Sequence, residues 1–219
     1  MELYLISTNP QNTSLLSANG VVHYLVETSR SSSGTRLTSI LRPAASPEDS
    51  VIAEIEWRNS NSATVIRSPM LVVANDPDKT NPKSGEGLGA GIKLMRYMYR
   101  RNRFSSVRYF IADDKAEYRW KIIKGRGCIL SSTGGAQIAS SNYTLVTEGV
   151  FAGEKKQNLL IQPSSVDIDL IILTFIIMEC RRRERDGYGL QQPVRDEEPH
   201  GDGGESGEAA VEGDVIGEL

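Results

Sequence analysis

The sequence is poor in the residues on which catalysis and covalent cross-linking most often draw. Two cysteines, Cys128 and Cys180, cannot build a disulfide framework, and two histidines, His23 and His200, cannot join them in a separate set of zinc sites. Aromatic residues make up only 6% of the chain. The longest uncharged apolar run, Leu170 to Met178, is nine residues. As a helix it would span about 14 Å, against roughly 30 Å for the hydrocarbon core of a bilayer, so no transmembrane helix is expected. The opening MELYLISTNP has neither a basic leader nor a long apolar stretch. No signal peptide is therefore expected, and the chain is read as intracellular, cytoplasmic or nuclear, with free thiols.

Charge is nearly balanced in total but not in layout. The 219 residues carry 25 basic and 28 acidic side chains, a formal −3. Residues 187–219 hold nine acids and a single base, Arg195, which leaves 24 bases and 19 acids over residues 1–186. The body is therefore mildly basic. The tail has eight glycines among its 33 residues and no apolar period, and it is expected to be disordered because it cannot bury enough surface to offset ordering its backbone. A second polar stretch, NDPDKTNPKSGEGLGAG at 75–91, reads as a flexible loop.

What the body does contain is period two. In SVIAEIEWR, Val51, Ala53, Ile55 and Trp57 fall on one face and Glu54, Glu56 and Arg58 on the other. EYRWKII sets Tyr118, Trp120 and Ile122 against Glu117, Arg119 and Lys121, and VVHYLVET sets Val22, Tyr24 and Val26 against His23 and Glu27. These are half-buried strands. Shorter stretches of the same kind occur near Leu3–Ile6, Leu37–Leu41, Thr64–Arg67, Leu71–Ala74, Val107–Ile111, Cys128–Ser131, Ile138–Ser140, Leu145–Phe151 and Leu159–Gln162, separated by Gly, Pro, Asn and Asp turn signals. About a dozen short antiparallel strands imply a barrel or sandwich.

One segment breaks the pattern. SSVDIDLIILTFIIMECRRRERDG has a capping-box spacing at Ser164 and Asp167, bases at its end and a stop at Gly187. Its apolar residues surround the axis, so a helix near 165–186 should be buried on all sides, a buried strand being the rival reading. The expected fold is mainly β: an antiparallel barrel of about twelve strands over residues 1–186, wrapped around a central hydrophobic C-terminal helix.

MELYLISTNPQNTSLLSANGVVHYLVET, VIAEIEW, YFIADDKAEYRWK and NLLIQPSSVDIDLIILTFIIMECRRRERD, in that order, resemble an uncharacterised domain family of basidiomycete fungi catalogued as a domain of unknown function. That family is similar to the tubby C-terminal and LURP-one barrels, in which strands surround a central hydrophobic helix. The resemblance implies that architecture over roughly residues 1–186 and brings no activity with it. The sequence departs from the pattern at Asp114-Lys115, where an Asp-Gly turn is expected.

The search for chemistry ends without a catalytic residue. Gly85-x-Gly87-x-Gly89-x-Gly91 lacks the spacing of a dinucleotide loop and the Gly-Lys-Ser/Thr ending of a P-loop. Cys128 would need His23 as its base, and nothing places the two together. Asp113-Asp114 sits where a hairpin turn belongs, and Asp167 with Asp169 where a helix begins. No cofactor and no metal site is expected. The remaining signal is IKLMRYMYRRNRFSSVRYF, with Lys93, Arg96, Arg100, Arg101, Arg103 and Arg108 and no acid between Ile92 and Arg108. If these bases converge, they suit an anionic phospholipid or membrane surface. If they are a solvated strand face, the barrel serves as a protein-interaction or scaffold domain. A nucleic-acid partner is not expected, and the oligomeric state is left open.

Overall fold

The stretches of period two fold as strands with their apolar rows turned the same way. The computed structural model describes residues 1–32, 34–46, 50–58, 63–71, 88, 91–102 and 104–187. The tail from 188 onward, nearly all of the 75–91 loop, Val72–Ala74 and Arg103 lie outside the described residues. Twelve strands make one antiparallel sheet: β1 (Glu2–Leu5), β2 (Thr13–Leu16), β3 (Val22–Arg30), β4 (Arg36–Leu41), β5 (Val51–Trp57), β6 (Val65–Arg67), β7 (Ile92–Lys93), β8 (Arg108–Ile111), β9 (Glu117–Ile123), β10 (Gly127–Ser132), β11 (Gln137–Leu145) and β12 (Lys155–Ile161). Their order is β7-β6-β5-β4-β3-β2-β1-β12-β11-β10-β9-β8. Strands consecutive in sequence are neighbours in space except β7 and β8, which stand at the two edges, and at the centre β1 pairs with β12 and joins the two halves.

In β5, Ala53, Ile55 and Trp57 are buried between half-exposed glutamates, and in β9 the buried row is Tyr118, Trp120 and Ile122. β3 departs at one end. Tyr24 and Val26 are buried, but Val22 is 42% exposed. The ladder steps from Leu15↔Tyr24 to Leu16↔Val22 and leaves His23 unpaired, and such a bulge turns the residues beyond it to the other face. Leu145–Phe151 is not a strand: Leu145 ends β11, and Gly149–Phe151 forms a 3-10 turn. Gly149 has φ +83°, and a Cβ there would stand 2.0 Å from the Ala18 carbonyl oxygen, so the turn requires glycine. The turn carries Phe151 onto Tyr4, with ring centroids 5.8 Å apart, in a small cluster outside the main core.

Two helices complete the described structure, the short α1 (Leu94–Tyr97) and the long α2 (Ile168–Arg185). α2 is a helix and not the rival strand, and every residue from Asp169 to Cys180 is buried. Burying each of its large apolar side chains contributes about 1.5–3 kcal/mol. The cap is Asp167 rather than Ser164: its carboxylate accepts the Asp169 N–H at 2.8 Å. At the other end Gly187 takes φ +76° and stops the helix. Midway, the Trp120 indole N–H donates to the Thr174 hydroxyl at 3.0 Å, and the Trp120 and Phe175 rings lie 6.2 Å apart.

The expected closed barrel is corrected to an open sheet. Its ladder ends at β7 and β8, which do not pair. The reason lies in the five residues between Lys93, paired to Val65, and Tyr99, bridged to Tyr109 in β8. Four of them form α1, and a helical turn spends its hydrogen bonds on itself and cannot extend a ladder.

Candidate functional site

Two acids travel into the interior with α2, and each meets a fixed set of donors. Asp169, 7% exposed, accepts from the Tyr24 hydroxyl at 2.7 Å and from Arg42 at 2.5 Å. Burial, followed by that bond to Asp169, pushes the Tyr24 hydroxyl well above its ordinary pKa. Glu179, with no exposure, accepts from Arg182 Nε at 2.8 Å and Nη2 at 2.6 Å, and from Arg183 Nε at 3.0 Å. The helix is thus anchored by a charge pair near each end.

The basic segment is distributed rather than gathered. Lys93 caps α1 and Arg96 lies within it, both exposed, as are Arg100 and Arg101 in the connection to β8. Arg101 is engaged. It pairs with Glu117, and its guanidinium stands 4.5 Å from the centre of the Tyr109 ring. Tyr99 donates to the same Glu117 and stacks beside Tyr109. The Tyr99 bond, and after it Arg101, holds the Glu117 carboxyl below the usual carboxylate range, while burial and that bond push Tyr99 up to about 12. This cluster fastens the α1 connection to β9. Arg103 lies outside the described residues. Arg108 points the other way, in the inner row of β8 with Phe110, and is 3% exposed.

Two features of this segment escaped the sequence reading. Phe104 is 94% exposed, more than any other large apolar residue among those described. The Ser105 N–H reaches the Asn102 carbonyl at 3.1 Å and the Phe104 N–H reaches the Asn102 side chain at 3.0 Å, so Phe104 projects from a formed turn. The signal available was the Asn102 turn residue, overshadowed by the expectation that aromatics face the core. Arg108 could have been read from parity with Phe110.

A cleft of about 550 Å³ opens at the start of α2, between Val21–Tyr24, Arg42–Pro43 and Asp167–Asp169. Val21, Val22 and Ile168 stand 51%, 42% and 40% exposed at its rim. His23, the bulged residue, contacts the Ser17 hydroxyl at 3.1 Å. It lies on β3, with four strands between it and Cys128 on β10. Burial pushes both thiols, Cys128 and Cys180, far above their ordinary pKa, which disfavours the thiolate form. The paired carboxylates are held in structural bonds: Asp114 accepts from the Ala116 N–H, Tyr118 and Ser165 at 2.9, 2.6 and 2.7 Å. Among the described residues no three His, Cys, Asp or Glu side chains gather as a metal site would require, and no helix is long and apolar enough to cross a membrane.

A family described as of unknown function (DUF6593) matches residues 8–184, from the turn before β2 to the last turn of α2. No curated protein and no solved structure matches the chain. The chain belongs to that family.

Proposed function

We propose that this member of a family without an assigned activity is a non-catalytic, intracellular module that docks on anionic phospholipid surfaces through the exposed bases and Phe104 of the segment that precedes β8. The observation that carries the reading is Phe104: a fully projecting aromatic on a formed turn, among bases and no acid. A side chain of that size costs free energy in water, and a bilayer interface relieves it while the flanking cations meet lipid phosphates. Lys93, Arg96 and Arg100, at roughly 1 kcal/mol each, and Phe104, at about 2 kcal/mol, give a sum of about 5 kcal/mol. That corresponds to affinities between millimolar and micromolar. The likeness to tubby-type domains belongs to the same proposal, supported by a wholly buried helix within an antiparallel sheet.

Cosedimentation with phosphatidylcholine vesicles, with and without phosphatidylserine, tests the reading. Wild type should bind only the anionic vesicles and lose binding as salt rises. Phe104→Ser with Arg96→Glu should abolish binding at an unchanged melting temperature. Equal sedimentation of wild type with neutral and anionic vesicles, or none with either at low salt, refutes it. The second reading, a protein-interaction domain, is favoured by the apolar rim of the cleft at α2. It would be supported by a binding partner whose affinity falls with Val21→Asp and is untouched by Phe104→Ser.

A further inference from the structure

Four charged side chains are buried among the described residues: Arg108, Asp169, Glu179 and Arg182. Three of them meet partners of opposite charge. Arg108 is the exception. Its Nε and Nη1 are shut off from solvent, and neither has a hydrogen-bond acceptor. Among the described residues it enters no ion pair and lies over no aromatic ring. A guanidinium cannot shed its proton, and a buried cation without an acceptor is among the costliest groups a fold can hold. An apolar side chain of similar volume would serve this position better if packing were its only role.

Its place in the sheet suggests what answers the charge. Arg108 opens β8, one of the two edges at which the ladder stops, and opposes Trp120 across β9. The break between β7 and β8 is filled by α1 and the connection behind it rather than by a paired strand, so a group reaching Arg108 there would have no β7–β8 ladder to part. The exposed bases of the neighbouring connection, Lys93, Arg96 and Arg100, favour a doubly charged anion over a singly charged one. A phosphate group near neutral pH is such an anion, and it presents several oxygens to a guanidinium. We infer that Arg108 is the receptor for a phosphate group seated inside the seam between β7 and β8. This site is interior and distinct from the exposed surface proposed above.

The test is thermal melting of the full chain in sodium chloride or sodium phosphate at matched ionic strength, for wild type and Arg108→Met. Removing the unanswered charge should raise the melting temperature in chloride by about 2–4 °C or more. Phosphate should raise wild type by a similar amount and leave Arg108→Met unmoved. Should Arg108→Met not fold, Arg108→Lys keeps the charge without the planar fork and should need several-fold more phosphate for the same rise. A wild type indifferent to phosphate, or either variant responding as wild type does, overturns the inference. Vesicles containing phosphatidic acid, at the same phosphate concentration, separate the sources. A rise there as well makes a lipid headgroup a ligand, and a rise with inorganic phosphate alone makes the ligand soluble. The inorganic arm contains no membrane, so it fails or succeeds independently of the surface reading.

Discussion

Glu179→Gln isolates what the charge at the end of α2 contributes. In wild type both carboxylate oxygens are occupied: Oε1 receives Arg182 Nη2 and Arg183 Nε, and Oε2 receives Arg182 Nε, so Arg182 is held through two parallel bonds. The amide removes one acceptor and turns donors toward donors, leaving a guanidinium that is 8% exposed without its anion. Breaking a buried pair from one side costs about 3–5 kcal/mol. The lower end applies here, because Arg182 keeps Asp186 at 3.1 Å and Arg183 keeps the Tyr143 hydroxyl at 3.1 Å. About 3 kcal/mol in a domain of this size lowers the melting temperature by roughly 6–12 °C. Urea unfolding followed by the fluorescence of Trp57 and Trp120, both buried, reads the same loss as a lower midpoint at constant slope. Replacing both partners, Glu179→Leu with Arg182→Met, should recover most of it, since two apolar groups leave no stranded charge. A single variant within about 0.5 kcal/mol of wild type, or a double variant no better than the single, would refute the account.

Acid should act through the carboxylates whose folded pKa is depressed. Bonds from Arg58 and Arg67 lower Glu56, and bonds from Tyr99 and Arg101 lower Glu117; at Asp114 burial pushes upward but the bonds from Tyr118, Ser165 and the Ala116 N–H outweigh it. Depressed groups stabilise the fold above their unfolded pKa, near 4, and the contribution is lost as pH falls through the folded value. The urea midpoint should therefore hold from pH 7 to about 5 and drop below about 4.5, a drop that Glu117→Gln makes shallower. At the β8–β9 turn, Lys115 holds φ +62° and no other non-glycine residue among those described takes a positive φ. Left-handed backbone costs an ordinary residue about 1 kcal/mol and a β-branched one more, so stability should fall in the order Lys115→Gly, wild type, Lys115→Val. A valine variant as stable as wild type in urea would contradict that backbone assignment.

What was legible in the sequence follows what local physics decides. β9 alternates strictly because it has one wet face, and its inward row is the predicted one; β5 does so from Ala53 to Trp57, but the bulge opposite Ile40 and Leu41 buries Ile52 and leaves Val51, expected inward, half-buried. The turn expected to carry Asp-Gly shows why glycine was expected, since Lys115 sits in the conformation glycine prefers. β2, TSLL, went unread because its two leucines are adjacent and give no period. The helix start was placed at Ser164 because both Ser164 and Asp167 are good caps, and a solid apolar run offers no stripe from which to count turns. The basic segment was legible as composition, but its direction was not. Charge is read as solvent-facing by default, and only parity with Phe110 turns Arg108 inward.

The open seam also has a local cause, visible once burial is known. Had residues 94–99 continued as a strand, Leu94, Arg96 and Met98 would share one face, and closing the ladder would carry Arg96 inward with them. In a helical turn, Leu94, Tyr97 and Met98 stand at i, i+3 and i+4 and share a face instead. Those three are 1%, 5% and 0% exposed, while Met95 is 51% exposed and Arg96 lies outside with it. The helical period thus buries three large side chains and keeps the charge in water, which the strand period cannot do. The loss is the ladder between β7 and β8, and two strands of two and four residues have few backbone bonds to lose. The same segment that keeps Arg96 outside by turning helical returns to strand at Arg108 and sends that charge in. One arginine is spared burial by the local period and the other is committed to it, and the second is the one that requires an anion.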